Sequence, residues 1–156
     1  MSLWLLLILL HTVLAAICFA AGIALLDPGR ARRYKWLMDT FVYSLIGMIV
    51  FMIAATISHW GDIALSERIV FSLLPLLGLY MLYRAVKSRG HISAGEERMY
   101  IDDIGFGLIS LLNGFIIVGL LDLRAPGWVV VIGAVLAVIA GNRYIAAVKR
   151  RYTDVR

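Results

Sequence analysis

Cysteine, proline and charged residues are all scarce in this sequence, and each scarcity narrows what the chain can be. Cys18 is the one cysteine, which excludes a disulfide within the chain. Charged residues make up 16% of the sequence and hydrophobic residues 62%, whereas a soluble domain has about 45–50% apolar residues. The mean hydropathy is +0.91. This composition predicts that lipid, rather than water, surrounds most of the 156 residues.

Motifs of catalysis and of nucleic-acid binding are also missing. The sequence contains no HExxH zinc motif, no phosphate-binding loop and no nucleophile elbow. The net charge of +5 comes from basic residues that are divided among several loops rather than gathered on one face. We therefore expect no enzymatic activity, no cofactor and no nucleic-acid partner.

Five apolar segments occupy most of the chain, at residues 3–26, 37–58, 69–86, 104–121 and 128–148. Each has the roughly 17–25 residues that an α-helix needs to cross a bilayer. The first segment lacks the basic residues that begin a signal peptide, so we interpret it as a retained helix. The sequence predicts an all-α integral membrane protein, with one transmembrane domain over residues 1–156 built as a bundle of five transmembrane helices.

The third segment is the weakest of the five. Arg84 interrupts it near its end, and Pro75 lies inside it. Proline removes one backbone donor from a helix, and Gly78 would ease the resulting bend. The sequence therefore predicts a kink at Pro75 and Gly78.

Loop charge predicts the orientation of the bundle. The first loop, the third loop and the C-terminal segment carry 13 of the 15 lysines and arginines, whereas the second and fourth loops hold only Arg68 and Arg124. Lysine and arginine accumulate in short cytoplasmic loops. We expect the N-terminus outside and the C-terminus in the cytoplasm, in a multi-pass protein of a bacterial plasma membrane.

Local signals predict how the helices are joined. Asp27, Pro28 and Gly29 have the chemistry of a turn, which favours a tight antiparallel hairpin of the first two helices. Ser93 and Glu96 have capping-box spacing, which predicts a short surface helix in the third loop.

Three acidic residues lie close to the predicted cytoplasmic boundary. Asp39, Asp102 and Asp103 are interpreted mainly as helix caps and boundary charges, because carboxylates favour the positive end of a helix. Alternatively, they could pair with basic residues and bind a polar ligand between helix ends. The expected basic partners are Arg33, Lys35 and Arg143.

Small residues recur at four-residue spacing, at Ala16, Ala20 and Ala24 in the first segment and at Gly133, Ala137 and Gly141 in the fifth. Such spacing lets helix backbones approach closely in lipid. We interpret both stripes as helix-packing surfaces, either within one chain or at a subunit interface.

An intramembrane polar cluster is the candidate site. His11 and Asn113 are both expected near mid-membrane at similar depth, with Ser44 and Ser110 among their candidate neighbours. Ionisable side chains within a membrane usually face the bundle interior or a water-filled cavity. The pattern is explained either by a structural hydrogen bond between helices or by a path for protons or a solute.

Three histidines raise the question of a metal or haem. No metal-binding spacing is present, and His91 is expected to be a solvated loop residue. His11 and His59 would be the two axial ligands of a haem, but they are expected at different depths, which disfavours one shared iron.

Three functions remain open. The preferred one is a non-enzymatic accessory or assembly subunit of a larger membrane complex, or a homo-oligomer, acting through helix packing. The second is a small transporter or proton-conducting protein that uses the polar cluster. The third is a haem or quinone redox protein.

The predicted orientation can be tested by cysteine labelling. In a Cys18→Ser background, an impermeant thiol reagent applied to intact cells should label a cysteine at Asp62 but not one at Arg32 or Ser93, because the basic loops face the cytoplasm. Permeabilised cells serve as the control, since all three positions should then react. Labelling of Arg32→Cys in intact cells without labelling of Asp62→Cys would contradict the orientation.

Overall fold

The computed structural model describes residues 3–58, 60–61 and 65–152, and regular structure within them is entirely helical. In chain order the helices are α1 (Leu3–Leu25), α2 (Pro28–Arg33), α3 (Lys35–Ser58), α4 (Leu65–Ala94), α5 (Glu97–Asp122) and α6 (Gly127–Arg151). The five apolar segments fall on α1, α3, α4, α5 and α6 in order. The predicted all-α fold is confirmed.

Four helices, α1, α3, α5 and α6, are long and apolar enough to cross a membrane. α4 has 30 residues, with Pro75 in its interior and Arg84 further along. Its length of roughly 45 Å exceeds the ~30 Å of bilayer hydrocarbon. The segment predicted to stop at residue 86 thus continues as one helix to Ala94.

The first two long helices form an antiparallel pair, joined by a helix rather than by the expected turn. The Cys18 thiol of α1 donates a hydrogen bond to the Phe41 carbonyl of α3 at 3.6 Å. Between the two helices, an Asp27 carboxylate oxygen accepts from Gly29 N at 2.9 Å, and Pro28 begins α2. Aspartate at the cap followed by proline is a helix-start signal, which explains why the predicted turn was wrong in its local geometry.

α5 occupies the centre of the bundle, in contact with α1, α4 and α6. The rings of Phe19 and Phe115 meet edge to face at 5.9 Å, and the Tyr100 hydroxyl donates to the Leu25 carbonyl at 2.8 Å. α1 and α5 are therefore antiparallel. Within the described part of the chain, α6 has α5 as its only helical neighbour.

One end of the bundle contains α2, the turn between α4 and α5, and the C-terminal end of α6. We call it the basic end. There, Arg32 and Glu97 form an ion pair at 2.9 Å, and the Tyr152 hydroxyl donates to Asp27 at 3.2 Å. Most of the buried core lies in the half of the bundle nearest this end, and its largest fully buried side chains include Leu25, Phe41 and Tyr100.

At the interface between α5 and α6, glycines of each helix pack against branched side chains of the other. A Cβ atom on Gly141 would lie 2.6 Å from Ile109, and one on Gly105 would lie 2.8 Å from Ile145. Neither site has room for a side chain, so the two backbones approach closely. The α6 residues on this face include Gly133, Ala137 and Gly141.

The alanine stripe of α1 lies elsewhere. Ala16 and Ala20 are exposed, and Ala24 is partly exposed. Within the chain, α1 packs through a neighbouring face whose members include Ala15 and Cys18. Ala16, Ala20 and Ala24 therefore remain a predicted packing surface only for contacts outside the chain.

Ala137 should not tolerate a large side chain. It is 6% exposed against α5, and overpacking a filled interface costs about 1–3 kcal/mol. Ala137→Leu should therefore lower the thermal unfolding midpoint of the purified protein in detergent. Ala140→Leu is the matched control, because Ala140 is exposed on the same helix. Equal midpoints for the two variants would show that α6 does not hold this face against α5.

Candidate functional site

The four residues of the predicted polar cluster lie in two separate places. His11 and Ser44 are on the helices of the α1–α3 pair, whereas Ser110 and Asn113 line a cleft formed by α4, α5 and α6. No hydrogen bond between the two pairs occurs among the described residues.

His11 is held by a backbone group of the neighbouring helix. Its Nδ1 lies 2.9 Å from the Met48 carbonyl oxygen of α3. A carbonyl only accepts, so the proton of this hydrogen bond is on Nδ1. Ser44 turns its hydroxyl back onto its own helix, where it donates to the Thr40 carbonyl at 2.6 Å. His11 therefore links α1 to the backbone of α3, whereas Ser44 bonds within its own helix.

His11 and Asn113 also differ in depth. The contact between Gly22 and Leu108 gives a common level on the antiparallel α1 and α5. From that level, His11 lies roughly 16 Å along α1, and Asn113 lies roughly 8 Å along α5 in the same direction. Along the helix axes the two residues therefore lie about 8 Å apart, whereas the sequence predicted similar depths.

The cleft has a volume of about 500 Å³. We call it the α5 cleft, because α5 forms its floor while α4 and α6 form its two walls. Leu74 and Leu77 lie on the α4 wall, and Val138 lies on the α6 wall. The floor residues are Asp102, Gly105, Phe106, Ile109, Ser110, Asn113, Gly114 and Ile117.

Asn113 is the polar centre of the α5 cleft. Its Oδ1 atom is buried, and no hydrogen-bond partner for it lies among the described residues. An unsatisfied buried acceptor costs about 1–3 kcal/mol. Asn113 also lines the α5 cleft, so a rotation of its side chain would present the amide oxygen to a molecule that brings a hydrogen-bond donor.

A cluster of charges closes the α5 cleft at the basic end. Arg84 Nε donates to a carboxylate oxygen of Asp103 at 2.7 Å, and its guanidinium lies 4.8 Å from the Phe106 ring centre. His91 lies between two acids: its Nδ1 is 2.5 Å from Glu96, and its Nε2 is 3.5 Å from the Asp103 oxygen Oδ2, which has no hydrogen-bond partner among the described residues. The cluster ties the last turns of α4 to the start of α5.

Sequence reasoning missed this cluster. His91 was expected to be solvated, but its side chain is 14% exposed and contacts both acids. Asp103 was interpreted mainly as a cap, but it is 6% exposed and pairs with Arg84. A usable signal was present, since Arg84 and Asp103 are opposite charges at the facing ends of consecutive apolar segments.

The other acids also have partners different from those considered. Asp39 pairs with Arg89 and Asp102 pairs with Lys149, each at 2.7 Å. α5 begins at Glu97, so Asp102 and Asp103 lie in its second turn rather than at its start. From there they reach α6 and α4, and not the predicted Arg33, Lys35 or Arg143.

The turn before α5 explains the early start of that helix. Gly95 has φ +79°, and the N–H groups of Gly95 and Glu96 donate to the carbonyls of Ile92 and His91. This is a Schellman ending, which requires a left-handed residue and therefore favours glycine. The capping box predicted for Ser93 is wrong, because Ser93 remains inside α4 and its hydroxyl donates to Arg89 O.

A second cavity lies beyond the α5 cleft at the basic end. We call it the basic pocket. It has a volume of about 250 Å³ and is lined by Arg98 from α5 and by Ala146, Lys149 and Arg150 from α6.

A metal ion would need clustered ligands, and the haem hypothesis would need His11 and His59 together. Across residues 3–58, 60–61 and 65–152, no group of three histidine, cysteine or acidic side chains is arranged to hold a metal ion. His59, the second residue of the haem hypothesis, lies outside the described residues. The Nδ1 of His11 bonds to the Met48 carbonyl, which leaves Nε2 as the remaining ligand atom of this ring.

The helices identify the general class of the protein but not its family. Four apolar, membrane-length helices in one bundle are those of a small multi-pass membrane protein. Comparison of the chain with known protein families, with curated protein sequences and with solved structures found no match.

The buried ion pair should matter more for stability than an exposed one of equal length. Asp103→Ala leaves the Arg84 charge without its partner, a change that costs about 3 kcal/mol for a buried pair. Asp39→Ala is the control, because its 2.7 Å pair with Arg89 is about half exposed and should contribute less than about 1 kcal/mol. Unfolding of both variants in detergent measures the difference. Similar losses would contradict a special role for the Arg84–Asp103 pair.

Proposed function

We propose that this protein is a non-enzymatic accessory or assembly subunit, and that it holds a transmembrane helix of a partner protein in the α5 cleft. The buried, unpartnered Oδ1 of Asn113 carries the proposal. Asn113 lies about 16 Å along α5 from Asp102, near the middle of a bilayer that the helix crosses. Lipid chains at that depth have no donor, whereas a helix can bring a serine, threonine, asparagine or glutamine side chain.

The floor of the α5 cleft supports a helix as its occupant. Ser110 and Gly114 are small, and a Cβ atom on Gly114 would meet nothing within 4 Å. Small residues let a second backbone approach closely, which is the main source of helix association in lipid. Asn113 lies on the face of α5 between the face that contacts α4 and the face that contacts α6.

Five spans follow from the path of the chain, and this topology is part of the proposal. α3 runs away from the basic end and α5 starts at that end, so α4 must cross the membrane if α3 and α5 do. The positive-inside rule then favours a cytoplasmic basic end, an external N-terminus and a cytoplasmic C-terminus. A plasma membrane is the proposed location.

A second candidate is a carrier or binding protein for a small membrane-dissolved molecule. The volume of about 500 Å³ favours it, because ligand pockets commonly measure about 300–1,000 Å³. This candidate retains Asn113 and Ser110 from the transport hypothesis but does not use His11.

Site-specific photo-crosslinking tests the main proposal. A photoreactive residue at Ile117, inside the α5 cleft, should give a discrete protein adduct in native membranes. The same residue at Val118, 57% exposed and outside the lining of the α5 cleft, should not. Gly114→Trp should abolish the adduct by filling the cleft, whereas Gly119→Trp should not, because a Cβ there also meets nothing within 4 Å but lies outside the lining.

Each alternative gives a different result in this experiment. Adducts from Ile117 that contain only lipid or a small molecule would favour the second candidate. An adduct of twice the chain mass would identify a second copy as the partner. Equal protein adducts from Ile117 and Val118 would refute docking in the α5 cleft.

A further inference from the structure

We infer that the partner helix carries a carboxylate that enters the basic pocket, roughly four helical turns from the side chain that contacts Asn113. This inference rests on the proposed function and adds the chemistry of the partner. It depends on the position and the charge of the basic pocket relative to the α5 cleft.

The basic pocket continues the α5 cleft along the same helix faces. Arg98 is one turn before Asp102 on α5, and Ala146 is one turn after Asn142 on α6. Lys149 lines the basic pocket and donates to Asp102, which lines the α5 cleft, at 2.7 Å. A helix lying along the α5 cleft therefore passes directly over the basic pocket as it reaches the basic end.

The charge of the basic pocket selects the group that can enter it. Its three ionisable lining residues, Arg98, Lys149 and Arg150, are all cationic, and Lys149 already pairs with one carboxylate, that of Asp102. Of the groups that a helix can present, a carboxylate complements such a pocket, and charge-assisted hydrogen bonds to arginine are among the strongest in proteins. A lysine or arginine of the partner would be repelled there.

The distance between Arg98 and Asn113 sets the spacing of the two polar groups on the partner helix. Arg98 and Asn113 are separated by roughly 22 Å along α5. A straight helix packed beside α5 would place its carboxylate and its central donor roughly fifteen residues apart. The partner would thus have an aspartate or glutamate near its cytoplasmic end, or its own C-terminus, and a polar residue at mid-membrane.

Designed peptides in liposomes test this inference. Each peptide is an apolar transmembrane helix with a central serine and a glutamate roughly fifteen residues away, placed on the N-terminal side in one version and on the C-terminal side in the other. Energy transfer between labelled peptide and full-length protein in neutral-lipid liposomes measures binding. One version should bind, and Glu→Gln in that peptide should weaken binding roughly tenfold, since a charged hydrogen bond is lost.

Variants of the protein test whether the preference for the Glu peptide arises in the basic pocket. In Arg150→Gln, the preference for the Glu peptide over the Gln peptide should shrink, whereas Arg151→Gln, at an exposed neighbouring position outside the pocket lining, should keep the full preference. A peptide that depends on its serine but not on its glutamate would overturn the inference and leave the proposed function standing. If neither peptide binds, both this inference and the proposed function are refuted. If Arg150→Gln changes only the response to added anionic lipid, the basic pocket binds a lipid headgroup instead.

Discussion

The contact on which the arrangement most depends is the ion pair between Arg84 and Asp103. It joins α4 to α5 at the basic end, where a charge pair away from bulk water must be matched closely. On the other side of α5, close glycine contacts hold α6, and the Lys149–Asp102 ion pair between these two helices is more exposed than the Arg84–Asp103 pair. α4 and α6 are thus fixed to two faces of one helix, and the space between them becomes the α5 cleft.

The polar residues of the bundle fall into two physical classes. His11 and Ser44 direct their polar atoms at helix carbonyls, which satisfies them inside the packed α1–α3 pair. Asn113 differs because its amide oxygen is buried without a hydrogen-bond partner among the residues that the structure describes. Since lipid chains cannot supply a donor at that depth, this atom is the reason why we propose a docking surface rather than an ordinary lipid-facing groove.

Several features could be predicted from the sequence because they depend on local chemistry. Apolar length located every long helix, and the four-residue spacing of small residues identified the α6 face that meets α5. Helix ends were less predictable, because the same local sequence can fit two structures. Asp27 and Pro28 fit a helix start as well as a turn. Ser93 and Glu96 fit a capping box, but the left-handed conformation of Gly95 ends α4 just after Ser93. Only the backbone path decides between such alternatives.

The sequence by itself determined that the chain is a helical membrane protein and that its basic residues gather at one end, because both follow from composition and from the order of apolar segments. The tertiary structure decided which charges pair, which face of α1 packs, and that His11 and Asn113 lie apart. These depend on the rotation and depth of each helix relative to its neighbours. Helices that are apolar on nearly every side carry little periodic signal for that rotation, so close contacts such as Gly141 with Ile109 had to set it.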